Sequence, residues 1–267
     1  MLNKYLRVFS IGWSNSFVYR LNFVMWRLRT IIQFLSIYFI WLAVLKNQTH
    51  VFGYTAPELL TYILGSSLLR AMVFSSQSMG VQADISTGDL SNYLLKPLNY
   101  FGYWLSRDIA DKLLNILFSL SEITLFILLL RPPFTLPPSL ISGLAFALAA
   151  GLAILLYFFF SFIVSLTVFW MPESGGWPQR FLVMTLMEFF SGSLFPLNIL
   201  PAPIYQVVSR LPTAYFIYVP LEIYNGRLVG QALGQNLLIM VFWLVTFYFT
   251  TKLLYHRGLT IYGAYGR

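Results

Sequence analysis

Long runs of apolar residues alternate along the chain with shorter segments that carry most of the charged residues. A helix that crosses a membrane needs about twenty mostly apolar residues, and six runs approach or exceed this length. They cover residues 30–45, which can extend back to 21, and residues 59–79, 109–130, 141–170, 180–195 and 232–255. The pattern predicts an all-α integral membrane protein with six transmembrane helices.

The composition supports this class and excludes an ordinary soluble domain. Hydrophobic residues make up 58% of the chain and charged residues 10%, whereas about 25% of residues are charged in soluble domains. Lipid-facing helices need no charged surface, because hydrocarbon is their solvent. We expect a single transmembrane domain over residues 1–267. The absence of cysteine excludes disulfides and thiolate metal sites.

The 17 Lys and Arg residues divide unevenly between the two sets of alternating connections. Twelve lie in the N-terminal segment, at the C-terminus, or in or next to the connections after the second and fourth predicted helices, and four lie in the other connections. The remaining one, Arg70, lies within the second predicted helix. Cytoplasmic segments carry the excess of Lys and Arg, so both termini are predicted to be cytoplasmic. The basic residues form no stripe, and we expect no nucleic-acid partner.

The N-terminal segment, residues 1–29, mixes basic side chains such as Lys4 and Arg7 with aromatic ones such as Trp13. This mixture is typical of a helix that lies in the membrane interface, in contact with lipids. We expect an interfacial helix followed by a lead-in to the first transmembrane helix. The alternative is that the segment is only a frayed start of that helix.

The cytoplasmic segment of residues 82–100 combines charged and apolar side chains. The charged ones include Asp84, Asp89 and Lys96, and the apolar ones include Ile85, Leu90 and Leu94. Because Leu90 and Leu94 are four residues apart, the spacing predicts a short amphipathic helix, which Pro97 stops. The alternative is an ordinary connection with an apolar side against the bilayer.

The external segment of residues 197–230 fits neither a membrane span nor a solvated loop. It contains Pro201, Pro212 and Pro220, and apolar residues fill much of the remainder. Short helices that dip into the outer leaflet and return would account for both properties. Irregular backbone at that depth needs protein or water to satisfy its polar groups. We therefore expect this re-entrant segment to pack against the helix bundle.

Three charged residues lie within predicted transmembrane helices: Arg70 in the second, Glu122 in the third and Glu188 in the fifth. Charged residues inside a membrane are functional candidates. One hypothesis is that Glu188 or Glu122 faces a translocation path and attracts a cationic group. The other is that Arg70 pairs with a glutamate, and we favour it because an unpaired buried charge is costly.

Common motifs of enzymes are absent. The chain has no P-loop, HExxH, GxSxG or Rossmann glycine pattern. His50 and His256 are predicted to lie on opposite sides of the membrane, so they cannot share a catalytic site. We expect no catalytic residue, no metal site and no cofactor bound by this chain, and any ATP dependence must come from a partner.

The cytoplasmic stretch Ile85-Ser86-Thr87-Gly88-Asp89-Leu90, followed by Leu94-Leu95-Lys96-Pro97, resembles the coupling segment of permease subunits of type 2 ABC exporters. The external stretch Ser191-Gly192-Ser193-Leu194-Phe195-Pro196-Leu197 resembles the Gly/Pro-punctuated region of the same family. The ending, Arg257-Gly258-Leu259 and Tyr262-Gly263-Ala264-Tyr265-Gly266, is similar to a branch of single-domain permeases with a separate ATPase. The resemblance covers nearly the whole chain. Many relatives carry glutamate in the coupling segment, where this chain has Asp84 and Asp89.

The resemblance implies an efflux subunit in the plasma (cytoplasmic) membrane, the inner membrane of the cell. It would form the translocation path with a second permease, identical or homologous, while two copies of a cytoplasmic ABC ATPase would bind ATP and Mg²⁺. By resemblance, the ATPase-coupling residues are Asp84, Ile85, Gly88, Asp89, Leu90, Leu94, Lys96 and Pro97. The corresponding residues of the re-entrant segment and the turn before it are Gly192, Phe195, Pro196, Pro201, Pro212, Pro220 and Gly226.

Two other functions stay open at the level of sequence. A secondary transporter driven by an ion gradient would use charges such as Arg70, Glu122 and Glu188, although such transporters are built from paired halves and no internal repeat is visible. A membrane scaffold without transport activity would explain the scarcity of polar residues along a path.

Overall fold

The computed structural model describes residues 2–18, 20–46, 48 and 50–263, most of which are helical. The α-helices of this part are α1 (Leu2–Val18), α2 (Arg20–Leu45), α3 (Ala56–Val73), α4 (Met79–Ser86), α5 (Leu90–Leu94), α6 (Tyr100–Leu130), α7 (Leu140–Leu166), α8 (Trp177–Phe190), α9 (Ala202–Val208), α10 (Tyr218–Tyr224) and α11 (Gly230–Ile261). Short 3-10 helices lie at Thr167–Phe169, Pro172–Ser174, Leu197–Ile199 and Pro212–Tyr215. Strands β1 (His50–Val51) and β2 (Tyr54–Thr55) form an antiparallel hairpin. Residues 264–266 of the family-like ending lie outside the described residues.

Four helical segments of the described chain are long and apolar enough to cross a membrane: Val24–Leu45, Tyr100–Leu130, Leu140–Phe169 and Gly230–Ile261. They coincide with the first, third, fourth and sixth predicted spans, and they confirm a helical membrane protein. The 18 residues of α3 and the 14 of α8 extend only about 27 and 21 Å, less than the ~30 Å hydrocarbon core. The count of six spans stays a prediction.

Local sequence signals explain where the helices begin. Thr55 and Glu58 form a capping box at the start of α3, in which the Glu58 carboxylate accepts a hydrogen bond from the Thr55 amide at 2.8 Å. The Asn99 side chain accepts from the Gly102 amide at 2.9 Å and caps α6. Ser139 caps α7 in the same way, through the Ser142 amide at 3.1 Å. These caps satisfy amide groups that have no partner within the helix.

Helix α7 lies at the centre of the fold and packs against α3, α4, α8, α10 and α11. Ala149, Ala150 and Ala153 are buried on α7, and such small residues let neighbouring helices approach closely. Helix α6 contacts both α1 and α3. One apolar core lies around α3, α7 and α10, and a second lies around α4, α5 and the start of α6. The end of the bundle with α4 and α5 is the one that the charge distribution predicts to be cytoplasmic.

The second predicted span ends earlier than expected. We predicted a helix to residue 79, but α3 ends at Val73 and α4 begins at Met79. The Lys112 ammonium group donates hydrogen bonds to the carbonyls of Met72, Val73 and Ser75, the first two at 3.2 and 3.0 Å. A cation at this position satisfies carbonyls at the end of a helix and favours its dipole. The chain can therefore leave the helix six residues early.

The coupling segment, residues 82–100, does not form the single amphipathic helix that we predicted. It contains the last part of α4, all of α5 and the first residue of α6. Gly88 has a φ of +85°, the left-handed conformation that ends many helices and that glycine adopts without strain. Leu90 and Leu94 also differ in environment, since Leu90 is fully buried and Leu94 is 48% exposed.

The N-terminal segment is helical. Helix α1 packs along α6, and the residues from Arg20 to the end of the predicted lead-in at residue 29 belong to α2. The interfacial helix and the alternative, a start of the first transmembrane helix, both stay predictions.

The external segment, residues 197–230, consists of short helices, as predicted. It contains two 3-10 helices, Leu197–Ile199 and Pro212–Tyr215, and two α-helices, α9 and α10. Pro201 and Pro212 lie at helix starts, where the missing amide hydrogen is not needed. Phe216, Ile217 and Ile223 are fully buried, and α10 packs against α3 and α7. Helix α10 of this segment thus packs against the bundle, whereas the re-entrant path of the segment through the outer leaflet stays a prediction.

Candidate functional site

The coupling segment presents a small apolar surface. Ile85 and Leu90 are buried against the bundle, whereas Leu94 and Leu95 keep 48% and 86% of their surface exposed. The Lys96 ammonium lies 4.8 Å from the centre of the Tyr93 ring. An exposed apolar patch next to polar groups is typical of a surface that contacts another protein or a membrane.

Aspartates shape the turns of this segment. The Asp89 carboxylate accepts hydrogen bonds from the Thr87 hydroxyl at 2.8 Å and from the Asn92 amide at 3.3 Å. The Asp84 carboxylate accepts one from the Tyr100 hydroxyl at 2.8 Å. Burial raises the pKa of Asp84 to about 6, and the Tyr100 bond only partly opposes this shift. Asp84 therefore holds the segment to α6, while Asp89 is exposed.

The break between α3 and α4, residues 74–78, is held by buried polar groups of α6. The Asp108 carboxylate accepts a hydrogen bond from the Gln77 amide at 2.9 Å and lies 3.4 Å from the Lys112 ammonium. Both charged side chains are almost completely buried. Because Lys112 also binds the last carbonyls of α3, this pair joins the end of α3 firmly to α6.

On the other side of the break, Arg180 at the start of α8 is buried among hydroxyl groups. Its guanidinium donates hydrogen bonds to Ser161 at 2.6 Å, to Ser165 at 3.0 Å and to Ser78 at 3.1 Å. A longer bond of 3.5 Å reaches the Gln82 side-chain carbonyl. These partners belong to α7, to α4 and to the residue just before α4, so one side chain connects three helices.

Arg70 of α3 and Glu188 of α8 form an ion pair. The predicted pairing of Arg70 with a glutamate is therefore present. The two side chains keep 16% and 36% exposure, and Arg70 Nη1 is buried with no hydrogen-bond partner among the described residues. Other polar residues lie near Arg70 and line a cavity of about 20 Å³ with it: Thr30, Gln33, Ser66, Ser67 and Ser193. Ser66 and Ser193 are buried, and Phe34, Ile37 and Ile63 line the same cavity. The partly exposed polar side chains, Thr30 and Gln33 of α2, Ser67 and Arg70 of α3 and Glu188 of α8, are called the polar face.

Glu122 of α6 pairs with a different arginine. The Arg27 guanidinium of α2 donates to both carboxylate oxygens of Glu122, to Asn115 at 3.3 Å and to Ser119 at 3.1 Å. Among the described residues, the ion-pair partner of Glu122 is thus Arg27, whereas that of Glu188 is Arg70. Glu122 also lines an apolar groove of about 370 Å³ between α2, α3 and α6.

The predicted residues of the external segment act mainly as packing and turn residues. Gly192 has a φ of +81°, and its carbonyl accepts a hydrogen bond from the Tyr62 hydroxyl at 2.6 Å. Phe195 packs against Phe189 with ring centres 5.3 Å apart. Gly226 has a φ of +71° and lies against Pro138. The remaining predicted residues are Pro196, Pro201, Pro212 and Pro220, which precede or begin helical turns or lie in the first turn of α10.

The external segment also contains a buried carboxylate that was not singled out from the sequence. Glu222 of α10 accepts a hydrogen bond from the Tyr54 hydroxyl at 2.6 Å, and burial raises its pKa. The Arg227 guanidinium lies over the Tyr54 ring, 3.6 Å from its centre, and 3.7 Å from the Glu58 carboxylate. This cluster joins the hairpin, α3 and α10 at the end of the bundle opposite α4.

Sequence reasoning treated Arg27, Lys112 and Arg180 only as contributors to the charge distribution. A signal was available for Lys112, because Asp108 precedes it by four residues on the same helix. No comparable signal links Arg180 to its serine partners, which lie 15 to 102 residues away in sequence. Contacts between helices of this kind depend on the fold.

The sequence was compared with protein-family models and with curated proteins. Residues 31–266 match a family model described as ABC-2 family transporter protein. Comparison with curated proteins gives no match. The matched range includes the coupling segment, the external segment and every residue of the four ion pairs except Arg27.

Proposed function

Because this chain belongs to the ABC-2 transporter family, we propose that it is the permease half of an ATP-driven exporter. The family and the apolar helices show that the chain is a multi-pass membrane protein and a transmembrane subunit of an ABC transporter. The family also implies association with an ABC ATPase. We also propose that transport is outward, that a second permease completes the transporter, and that two copies of the ATPase bind to it.

The observation that carries the proposal is the exposed apolar pair, Leu94 and Leu95, on the coupling segment. Leu95 keeps 86% of its surface exposed, at the end of the bundle predicted to be cytoplasmic. Leu90 anchors the same segment to the bundle from the opposite side. A segment that is anchored on one side and apolar on the other is suited to dock in a groove of a cytoplasmic ATPase.

We further propose six spans with both termini cytoplasmic, in which α3 and α8 are the second and fifth. Both helices are short for a membrane span, but the chain that adjoins them is itself packed in the bundle, as in the external segment after α8. A membrane can also thin locally around a short span. The plasma membrane is the proposed location.

The polar face around Arg70 and Glu188 supports a path formed with a second permease. Exposing a partly open ion pair and the Gln33 side chain to lipid would be costly, and Glu188 is 36% exposed in the single chain. A second permease, identical or homologous, would cover this face and enclose a hydrated path. The polar groups would then line that path instead of meeting hydrocarbon.

Nucleotide chemistry is assigned to the partner. The chain has no P-loop pattern, so we propose that it is not an enzyme and that ATP and Mg²⁺ are bound by the ATPase. A secondary transporter is less well supported, because Glu122 and Glu188 are each paired with an arginine.

Purification of the tagged chain from its own membranes, with partners identified by mass spectrometry, tests the proposal. We expect a P-loop ATPase to co-purify with the wild type and to be lost when Leu94 and Leu95 are both replaced by Asp. The matched control is Leu136→Asp, which changes a leucine that is 75% exposed in the connection before α7. An ATPase that stays bound to the Leu94→Asp, Leu95→Asp variant would contradict the coupling assignment.

A further inference from the structure

Arg180 lies at the point where the coupling segment meets α7 and α8. It is 3% exposed, and none of the four ion pairs found among the described residues includes it. Its charge is instead distributed over the hydroxyls of Ser78, Ser161 and Ser165. A buried guanidinium needs most of its donors satisfied, so this arrangement is stable only while the three helices keep their relative positions.

A second connection runs from α4 to the start of α8. The Gln82 side chain accepts from Arg180 through its carbonyl oxygen and donates through its amide nitrogen to the Gly176 carbonyl at 3.1 Å. Gly176 has a φ of +75°, and a Cβ there would overlap Gln82 Nε2 and Val168. The contact between α4 and the turn before α8 is therefore close enough to require glycine.

The hydroxyls around Arg180 are themselves joined. The Ser78 and Ser161 hydroxyl oxygens are 2.5 Å apart, and the Ser165 hydroxyl donates to the Ser78 carbonyl at 2.9 Å. Ser78 immediately precedes α4. The start of α4 is thus bonded to α7 and α8 by side chains of both helices.

Buried cations lie on both sides of the break of residues 74–78. On one side, Lys112 and Asp108 hold the end of α3 to α6. On the other side, Arg180 and Gln82 hold α4 to α7 and to the start of α8. Helix α6 is bonded to both sides, because Asp108 accepts from the Gln77 amide and Tyr100 donates to Asp84, whereas, among the described residues, the side-chain hydrogen bonds between α4 and α8 are those of Arg180 and Gln82.

We infer that Arg180 is a positioning residue that makes α4 and the start of α8 one mechanical unit. When the coupling segment is displaced, α8 moves with it, and with α8 moves Glu188 on the polar face. The inference deepens the proposed function and rests on it, because it names the helix that receives the displacement.

Distance measurement between two spin labels tests the inference. The chain has no cysteine, so Ala83→Cys and Trp177→Cys introduce the only labelling sites, and both positions are exposed. In the detergent-solubilised full chain without ATPase, we expect one narrow distance distribution. Arg180→Gln should broaden it or shift its maximum, and Arg180→Lys, which keeps the charge but not the planar fork, should have a smaller effect. Arg210→Gln, the same change at an exposed arginine, should have none.

An Arg180→Gln distribution identical to that of the wild type would overturn the inference. If this variant does not fold, Gln82→Leu, which removes both hydrogen bonds of the Gln82 side-chain amide, replaces it, and a wild-type distance distribution in that variant would likewise overturn the inference. With the co-purified ATPase present, the wild-type distance should be the same with ADP and with ATP, and a nucleotide-dependent change between α4 and α8 would also overturn it. Failure of an ATPase to bind contradicts the proposed function alone, because the comparison without ATPase still tests the role of Arg180.

Discussion

Arg70 and Glu188 form an ion pair that joins α3 to α8, the two shortest of the helices that we propose to span the membrane. Each helix alone would carry an unpaired charge inside the bilayer, which is costly. The pair lets both helices lie in the bundle and places a polar group on its surface. The contact that joins the two helices is thus also the one that we propose to line a path.

We predict that Arg70 and Glu188 are energetically coupled. Arg70→Met or Glu188→Met alone leaves one partner unpaired and should lower the unfolding free energy by about 1–3 kcal/mol. This is less than the ~3–5 kcal/mol for a fully buried pair, because Glu188 is 36% exposed. The double replacement should recover most of the loss, since two apolar side chains leave no unpaired charge. Thermal unfolding of the four proteins in detergent measures the coupling, and additive losses would contradict it.

Leu90 and Leu95 should contribute very differently to stability, although they lie in one short segment. Leu90 is fully buried, whereas Leu95 is 86% exposed. Leu90→Ala should therefore cost about 2–5 kcal/mol and Leu95→Ala no more than about 0.5 kcal/mol. Unfolding midpoints of the two variants give a matched comparison of the same substitution. Equal losses would show that the segment is not oriented as described.

Hydrophobic patterning was sufficient to locate the long helices, because each carries its own apolar run. The end of α3 could not be found in this way. Val73 is followed by residues that still suit a helix, and the helix ends where Lys112, 39 residues later, supplies donors to its carbonyls. A pattern within one segment cannot report a contact that another segment makes.

The charged residues illustrate the same limit. The expectation that Arg70 pairs with a glutamate followed from the cost of unpaired charge alone, without knowledge of which glutamate. The partner of Glu122 was not predicted, because Arg27 lies next to Arg29 near the start of the first apolar run and was counted as a cytoplasmic charge. In the structure the long Arg27 side chain reaches Glu122 and Ser119 of α6. Only the relative height of two packed helices decides such a pair.

The stability of the folded protein should depend on pH through Asp84 of the coupling segment. Burial raises the pKa of its carboxyl to about 6, above the ordinary value of about 3.9. The folded protein therefore binds more protons than the unfolded chain between these values, and stability should fall as pH rises from about 4 to 6. Asp84→Asn should remove this part of the dependence, so the midpoints of the variant and the wild type should diverge as pH rises from about 4 to about 6. Parallel pH profiles of the two proteins would contradict the assignment.

Gly192 should not tolerate a side chain, and the reason combines backbone and packing. Its φ of +81° is strained for other residues, and a Cβ would lie 2.6 Å from the Tyr62 hydroxyl and 2.8 Å from Tyr218 Cβ. Gly192→Ala should therefore lower the unfolding free energy by at least about 2 kcal/mol. Gly234 of α11 is the matched control, since nothing lies within 4 Å of its Cβ position, and Gly234→Ala should stabilise the helix by about 0.5–1 kcal/mol. Unfolding midpoints in detergent should therefore move in opposite directions, and a Gly192→Ala protein as stable as the wild type would mean that the turn after α8 is packed differently.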